Sequence, residues 1–255
     1  MPIPFRTDNG EGVTSSTVMV AGNNGEQISA YVAVPTTPGP HPGIALIHHA
    51  PGWDDWYHEA ALKFARHGYI TVMPNLYHRL GHGTVEEVSA KVREAGGIAD
   101  TQVVGDMQGA INHIRSIQGH NGKIGVIGTC SGGRHTFLVA TEIPDEVDAA
   151  VDLWGGGVVR KPEELTPNQP KNLVEQTSKL KAPLLGLFGN DDQNPTPEAV
   201  NALEEALKAN GKTYEFTRYD GAGHGFFYYD RAMYRQEQSV DGWNKVFDFF
   251  EKYLA

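Results

Sequence analysis

The chain has little cysteine and no long apolar run. Its 255 residues include one cysteine, Cys130, which excludes an internal disulfide. The segment 1–6 lacks the apolar core of a secretory signal, so we expect a reducing, cytoplasmic location. No apolar stretch approaches the roughly 20 residues of a membrane helix. The sequence therefore predicts no membrane partner.

Positive charge is also scarce. The chain has 21 lysine and arginine residues against 31 aspartate and glutamate residues, a formal net charge of −10. This excess of negative charge argues against binding to nucleic acid or to an anionic membrane surface, and leaves a small molecule as the expected partner. We find no repeat, low-complexity tract or linker. With 40% hydrophobic residues the chain can bury one sizeable core, so we predict a single domain over 1–255, as a monomer or homodimer.

The apolar segments are arranged as in an α/β fold. The strand-like segments 17–20 and 27–34 flank an Asn-Gly hairpin signal, which predicts antiparallel edge strands. The segments 43–47 and 70–73 are apolar enough to be buried on both faces, and a helix at 57–66 separates them, as in a βαβ unit. We therefore expect a mostly parallel sheet with antiparallel N-terminal edge strands and helices on both faces.

The segment 125–133 reads GVIGTCSGG and predicts a buried strand, a tight turn and the start of a helix. Cys130 occupies the turn, where a nucleophile is held in a strained backbone conformation. Gly128 and Gly132 flank it because such a sharp reversal leaves no room for side chains. A helix beginning at Ser131 points its free N–H groups toward the thiol, which favours a thiolate and stabilises an oxyanion.

An acid and a base follow later in the chain. The apolar strand 184–188 runs into Asp191 and Asp192, and the alternating strand 214–219 runs into a glycine loop with His224. Loops at the carboxyl ends of parallel strands carry function. The order nucleophile, acid, base is that of the α/β-hydrolase fold. Both aspartates are candidates for the acid, and the Gly-x-x-Asp spacing after the strand favours Asp192.

Three aromatic side chains also follow predicted strand ends. Tyr77, Trp154 and Phe226 are candidates for lining a substrate pocket, with ordinary packing as the alternative. The segment 155–172 is rich in glycine, proline and charge, and about twenty residues cannot build an independent apolar lid. We therefore predict no large cap domain and a small, open pocket.

The motifs resemble those of the dienelactone hydrolase (carboxymethylenebutenolidase) family. The resemblance extends from Ile28 to Leu254 and rests on GTCSGGR at 128–134, MPNLYHR at 73–79, LFGNDD at 187–192 and GAGHGF at 221–226. It implies an α/β-hydrolase fold with a triad of Cys130, His224 and Asp192. It also implies action on small lactones or esters without a cofactor.

The same resemblance implies roles for residues in three further loops. Ala50 stands where the family has its second oxyanion-hole N–H, beside that of Ser131. Arg79 matches an arginine that holds the substrate carboxylate, which a guanidinium binds bidentately. A solvated loop arginine is the alternative for Arg79. Two positions depart from the family pattern, because His49 replaces a glutamate that contacts the nucleophilic cysteine and Tyr228 replaces a second carboxylate-binding arginine.

The histidine at position 49 changes the ionisation expected of the thiol. A protonated His49 stabilises a nearby thiolate, and a neutral His49 accepts the thiol proton. We therefore expect a resting thiolate at neutral pH and a place for His49 in the substrate site. The alternative is that His49 points away and packs its own loop.

A metal site is the rival use of the histidines and acids in this loop. The candidates are His48, His49, His58, Asp54 and Asp55. Their spacing does not match a metal motif such as His-Glu-x-x-His, and a cysteine nucleophile needs no metal. We predict that no metal is bound.

The sequence therefore predicts a hydrolase that opens small enol lactones or activated esters through a thioester acyl-enzyme. A thiolate leaves more readily than a simple alkoxide, so a cysteine enzyme suits substrates with good leaving groups. A broad carboxylesterase or thioesterase with the same triad is the alternative. A non-catalytic binding protein of the same fold is a more remote one, because such proteins usually lose a triad residue.

Overall fold

The computed structural model describes residues 12–81 and 83–255. The strands in this part of the chain are β1 Val13–Ala21, β2 Gln27–Pro35, β3 His41–Ile47, β4 Ile70–Pro74, β5 His120–Thr129, β6 Ala149–Leu153, β7 Leu184–Gly189 and β8 Tyr214–Tyr219. The α-helices are α1 Asp55–Arg66, α2 Val85–Glu94, α3 Asp100–Ser116, α4 Ser131–Glu142, α5 Pro197–Ala209 and α6 Gln236–Leu254.

The strands form one sheet in the order β1-β2-β4-β3-β5-β6-β7-β8. The β1–β2 and β2–β4 pairs are antiparallel, and every pair from β4 through to β8 is parallel. This arrangement confirms the predicted α/β fold with antiparallel N-terminal edge strands. The predicted domain extent of 1–255 includes residues 1–11 and 82, which lie outside the described residues.

Each face of the sheet has its own apolar layer, because successive strand residues point to opposite faces. On β3, Ile44 and Leu46 belong to the layer with α1 and α6, whereas Ala45 and Ile47 belong to the layer with α3 and α4. Coverage on both faces explains why β3 is apolar without alternation. In the described part of the chain, no helix is both long and apolar enough to cross a membrane.

Local signals begin the helices beside the site. The Asp54 side chain caps α1 and accepts a hydrogen bond from the Tyr57 N–H at 3.1 Å. Thr84 and Glu87 form a capping box at the start of α2, a signal that the sequence analysis did not use. Within the described segment 155–172, the helical structure is a single turn at Pro162–Glu164, in keeping with the predicted absence of a large cap.

The parallel strands bring four loops to one edge of the sheet. These loops follow β3, β5, β7 and β8, whose carboxyl ends face the same way. The predicted nucleophile, acid, base and second oxyanion donor lie in them. The fold therefore gathers residues from across the chain, as expected for an open parallel sheet.

Candidate active site

Cys130 lies on a strained turn between β5 and α4. Its backbone has φ 56° and ψ −122°, a conformation that few residues other than glycine adopt. A Cβ on Gly128 would collide with the Gly132 backbone, and one on Gly132 would collide with the carbonyl oxygen of Ile47. The two glycines are therefore required by close approach of the backbone. The strand, turn and helix have the form of a nucleophile elbow.

His224 and Asp192 are hydrogen-bonded to each other. The His224 Nδ1 lies 2.9 Å from Asp192 Oδ2 and 3.2 Å from Oδ1. The Asp192 side chain is buried, and its Oδ1 also accepts from the Asn194 N–H at 2.8 Å. Asp191 is exposed. The structure therefore brings Asp192 to the imidazole.

The surroundings of His224 favour its protonated form. Burial lowers the pKa of this imidazole, but hydrogen bonds to Asp192 and Cys130 outweigh burial and raise the pKa to about 10. Because Nδ1 faces Asp192, Nε2 is the nitrogen left to interact with Cys130. His224 therefore interacts with Asp192 through Nδ1 and with Cys130 on its other side, and both interactions favour the charged ring.

The loop after β3 is fixed by His48. The His48 Nδ1–H donates to the His49 carbonyl oxygen at 2.9 Å, and its Nε2 accepts from the Leu76 N–H at 3.1 Å. Burial lowers the pKa of His48 to about 4, so the ring stays neutral with this one tautomer. The Gly52 N–H also donates to the His49 oxygen at 2.9 Å. Since the Ala50 N–H belongs to the same planar peptide, these bonds fix its direction as well.

The next peptide of this loop is held too. The Ala50 carbonyl oxygen accepts from the Tyr77 hydroxyl at 3.0 Å and from the Ser89 hydroxyl at 3.1 Å. Burial, and then the neighbouring Cys130, raise the pKa of Tyr77, which lies close to the nucleophile. Tyr77 therefore contributes to the site by positioning the Ala50 loop. Ser89 lies on α2. Sequence reasoning missed both this helix and the role of Ser89.

Comparison with known proteins agrees with this geometry. The model of the dienelactone hydrolase family matches residues 28–254. The chain belongs to the dienelactone hydrolase family. A Methylorubrum extorquens protein provisionally named carboxymethylenebutenolidase is 34% identical over 229 residues, which is 89% of this chain and 77% of that protein. A carboxymethylenebutenolidase of Rhodococcus opacus is 27% identical over 83% of this chain and 81% of its own.

A solved structure shows the same relationship. The crystal structure of a provisionally named dienelactone hydrolase from Klebsiella pneumoniae superimposes with a TM-score of 0.86 at 28% identity. The match covers 94% of this chain and 99% of that chain. The protein is therefore a hydrolase-family member with the α/β-hydrolase fold along nearly all of its described length.

Arg79 is placed differently from the expectation that the family resemblance gave. Its Nη1 and Nη2 donate to the two carboxylate oxygens of Asp106 at 2.8 and 3.0 Å, and its Nε is paired with Glu26. Asp106 lies on α3 and is fully buried. The predicted carboxylate-binding role is corrected accordingly, because protein carboxylates already occupy the guanidinium.

Trp154 and Phe226 also need a correction. Neither side chain has exposed surface, and their ring centroids lie 4.8 Å apart. The Trp154 centroid is 6.5 Å from that of His224. Trp154 therefore packs beside His224 and Phe226 packs against Trp154, and the expected contact with substrate has no exposed surface to support it.

His49 does not face the thiol. Its Nδ1 accepts from the Tyr228 hydroxyl at 2.8 Å, and its Nε2–H donates to Asp54 Oδ2 at 2.7 Å. Burial lowers the pKa of His49 in spite of the hydrogen bond to Asp54. Both ring nitrogens of His49 are occupied by Tyr228 and Asp54. The predicted direct effect of His49 on Cys130 is therefore corrected, because His49 contacts Tyr228 instead.

The candidate metal ligands do not converge. Asp54 accepts from His49 and from the Arg231 guanidinium, at 3.0 Å for the latter, and His58 Nδ1 donates to the Asp54 carbonyl oxygen. Among residues 12–81 and 83–255, no group of three or more histidine, cysteine, aspartate and glutamate side chains is placed to hold a metal ion.

Proposed function

We propose that the protein hydrolyses small lactones or activated esters through a covalent thioester on Cys130. The observation that carries the proposal is the hydrogen bond between Asp192 and His224, together with the interaction of His224 with Cys130 on its strained turn. A cysteine nucleophile paired with an oriented histidine is the arrangement that covalent acyl transfer requires.

The first half of the reaction forms the acyl-enzyme. The Cys130 thiolate attacks the carbonyl carbon, and the N–H groups of Ser131 and Ala50 stabilise the oxyanion. The tetrahedral intermediate collapses, the carbon–oxygen bond breaks, and the leaving oxygen takes the proton of the His224 imidazolium. A lactone opens without losing a fragment, so its leaving oxygen stays tethered to the acyl group.

The second half releases the product. Neutral His224 takes a proton from water as the water oxygen attacks the thioester carbonyl. The second tetrahedral intermediate expels the thiolate, leaving a carboxylic acid, which ionises, and an imidazolium beside Cys130. Asp192 keeps the imidazole in the required tautomer and stabilises its charge throughout.

The charges around the site favour neutral substrates over carboxylated ones. Arg79 is paired with Asp106 and Glu26, and Arg231 is paired with Asp54. A guanidinium already engaged by a carboxylate is a poor receptor for a second one. We therefore expect neutral enol lactones and aryl esters to react faster than lactones bearing a carboxylate.

The test compares Cys130→Ala and Cys130→Ser with wild type on an activated aryl ester, a neutral enol lactone and a carboxylated lactone. The alanine variant loses turnover and the initial burst, whereas the serine variant keeps weak activity, because a hydroxyl there still faces His224. Turnover of the alanine variant at the wild-type rate would refute the proposal. A broad esterase shows similar rates on thioesters, aryl esters and lactones, and a binding protein shows no burst with any of them.

A further inference from the structure

A closed ring of mostly buried hydrogen bonds includes Thr129, the residue before Cys130, and is not used by the triad. Its members are Asp54, His49, Tyr228, Thr129 and Tyr57. His49, Tyr228 and Thr129 are 1%, 3% and 1% exposed. The Tyr228 hydroxyl lies 2.8 Å from His49 Nδ1 and 2.5 Å from Thr129 Oγ1. The Tyr57 hydroxyl lies 2.8 Å from the same Oγ1.

The hydrogen atoms of the ring have one consistent arrangement. The Thr129 N–H donates to the Tyr57 hydroxyl at 3.2 Å, so the Tyr57 hydrogen is free to point at Thr129 Oγ1. The Thr129 hydroxyl then donates to the Tyr228 oxygen, Tyr228 donates to His49 Nδ1, and His49 Nε2–H donates to Asp54. Every donor has an acceptor, provided that His49 is neutral, as its lowered pKa indicates.

The ring connects the three segments on which catalysis depends. His49 directly precedes Ala50, and Thr129 is two residues before Ser131. Tyr228 belongs to the loop that carries His224. The Tyr228 hydroxyl is hydrogen-bonded to the other two segments, through His49 and Thr129. The two positions that depart from the family pattern, His49 and Tyr228, are therefore hydrogen-bonded partners.

We propose that Tyr228 is a positioning residue that sets the separation of the two oxyanion donors, the N–H groups of Ala50 and Ser131. This inference rests on the proposed function, because an oxyanion forms only if Cys130 attacks a carbonyl. The Tyr228 hydrogen is directed at His49 and away from Cys130, so Tyr228 acts on the reaction through the backbone and not by proton transfer.

The variant Tyr228→Phe removes the hydroxyl and retains the ring that packs against Trp56 and Trp154, whose centroids lie 5.1 and 5.7 Å away. We expect kcat on an aryl ester to fall about 10- to 100-fold, somewhat less than the loss of a whole oxyanion donor, while KM changes little. Alkylation of Cys130 by iodoacetamide stays at the wild-type rate, because displacement at a saturated carbon forms no oxyanion.

A matched control is Tyr219→Phe. It removes a buried tyrosine hydroxyl that donates to Asp241 Oδ2 at 2.7 Å, outside the ring. Both rates stay at the wild-type value in this control. Thr129→Val is a second ring variant, in case Tyr228→Phe folds poorly. It removes the hydroxyl next to Tyr228 and reproduces the loss of turnover with unchanged alkylation.

Two outcomes of the kinetic measurements overturn the inference. Equal losses of turnover and alkylation in Tyr228→Phe mean that Tyr228 sets thiol ionisation, and unchanged turnover means that the ring has no role in positioning. Backbone amide exchange provides a readout that is independent of turnover. Segments 48–52 and 129–133 exchange faster in Tyr228→Phe than in wild type, and unchanged exchange contradicts the inference even if Cys130→Ala shows that the proposed function is wrong.

Discussion

Two aspartate–histidine pairs lie within one site, and they behave in opposite ways. Asp192 and His224 are 2.9 Å apart, and Asp54 and His49 are 2.7 Å apart. The pKa of His224 is raised to about 10, whereas the pKa of His49 is lowered. The same pair of residues at the same distance is therefore not enough to define a catalytic base.

The difference comes from exposure and from the third partner. The His224 side chain is 37% exposed, and its interactions with Asp192 and Cys130 favour the protonated ring. The His49 side chain is 1% exposed, and its second nitrogen accepts a tyrosine hydrogen. Burial is therefore the largest influence on the pKa of His49, and the neutral ring has a structural role.

The largest expected effect is on kcat, when the aspartate of each pair is replaced by asparagine. Asp192→Asn removes the charge that stabilises the His224 imidazolium, and we expect kcat on an aryl ester to fall about 10³- to 10⁴-fold. Asp54→Asn retains an amide oxygen that accepts the N–H of neutral His49, so we expect kcat within about tenfold of wild type, the size of one hydrogen bond of about 1 kcal/mol.

The matched control for these two changes is Asp191→Asn, since Asp191 is exposed and next to the acid in sequence. Its kcat stays near wild type. If Asp191→Asn is the damaging variant, the acid assignment moves to Asp191. If Asp54→Asn loses as much activity as Asp192→Asn, the two pairs have the same role and the contrast between them is wrong.

A smaller effect is expected from a charged pair that includes neither histidine. Arg79→Ala leaves the fully buried Asp106 without its bidentate partner. We expect the free energy of unfolding in urea to fall by about 1–3 kcal/mol. KM rises equally little for neutral and carboxylated substrates. A selective rise for the carboxylated substrate would restore the predicted role of Arg79 in substrate binding.

The smallest expected effect is on the pH dependence of stability, to which His224 and His49 contribute with opposite signs. His224 has a raised pKa, so its contribution to stability is fully present below the unfolded pKa of about 6.5 and is lost as pH rises toward 10. His49 has a lowered pKa, so its contribution is present above pH 6.5 and is lost as pH falls below it. Urea unfolding of wild type, His224→Gln and His49→Gln at pH 5, 7 and 9 measures both differences. If the contributions of His224 and His49 to the free energy of unfolding change with pH in the same direction, the contrast between the two histidines is wrong.

The candidate triad positions were predictable because their signals are local. Cys130 is marked by glycines two positions away on each side, and Asp192 and His224 lie in the loops that follow β7 and β8. Because parallel strands end at one edge of a sheet, the sequence alone predicts that all three lie close together. The structure has Asp192, and not Asp191, beside His224, as the spacing after the strand favoured.

The roles of Arg79 and His49 were not predictable in the same way. Arg79 is paired with a buried carboxylate 27 positions later, on a helix of which only the apolar stripe was visible in the sequence. His49 bonds to Tyr228, which is 179 positions away. Sequence position indicated that both side chains lie near the site. It gave no information on which groups would already occupy their nitrogens.

The sequence by itself determined the antiparallel edge strands, the elbow around Cys130, and the placement of Cys130, Asp192 and His224 after strand ends, because periodicity and short-range glycine and strand-end signals specify these features within a few residues. Only the tertiary structure decided which histidine of the two aspartate–histidine pairs has a raised pKa and which has a lowered one. The reason is physical, since the pKa of a histidine depends on its burial and on the partner of its second nitrogen, and both are set by contacts between segments that are distant in the chain.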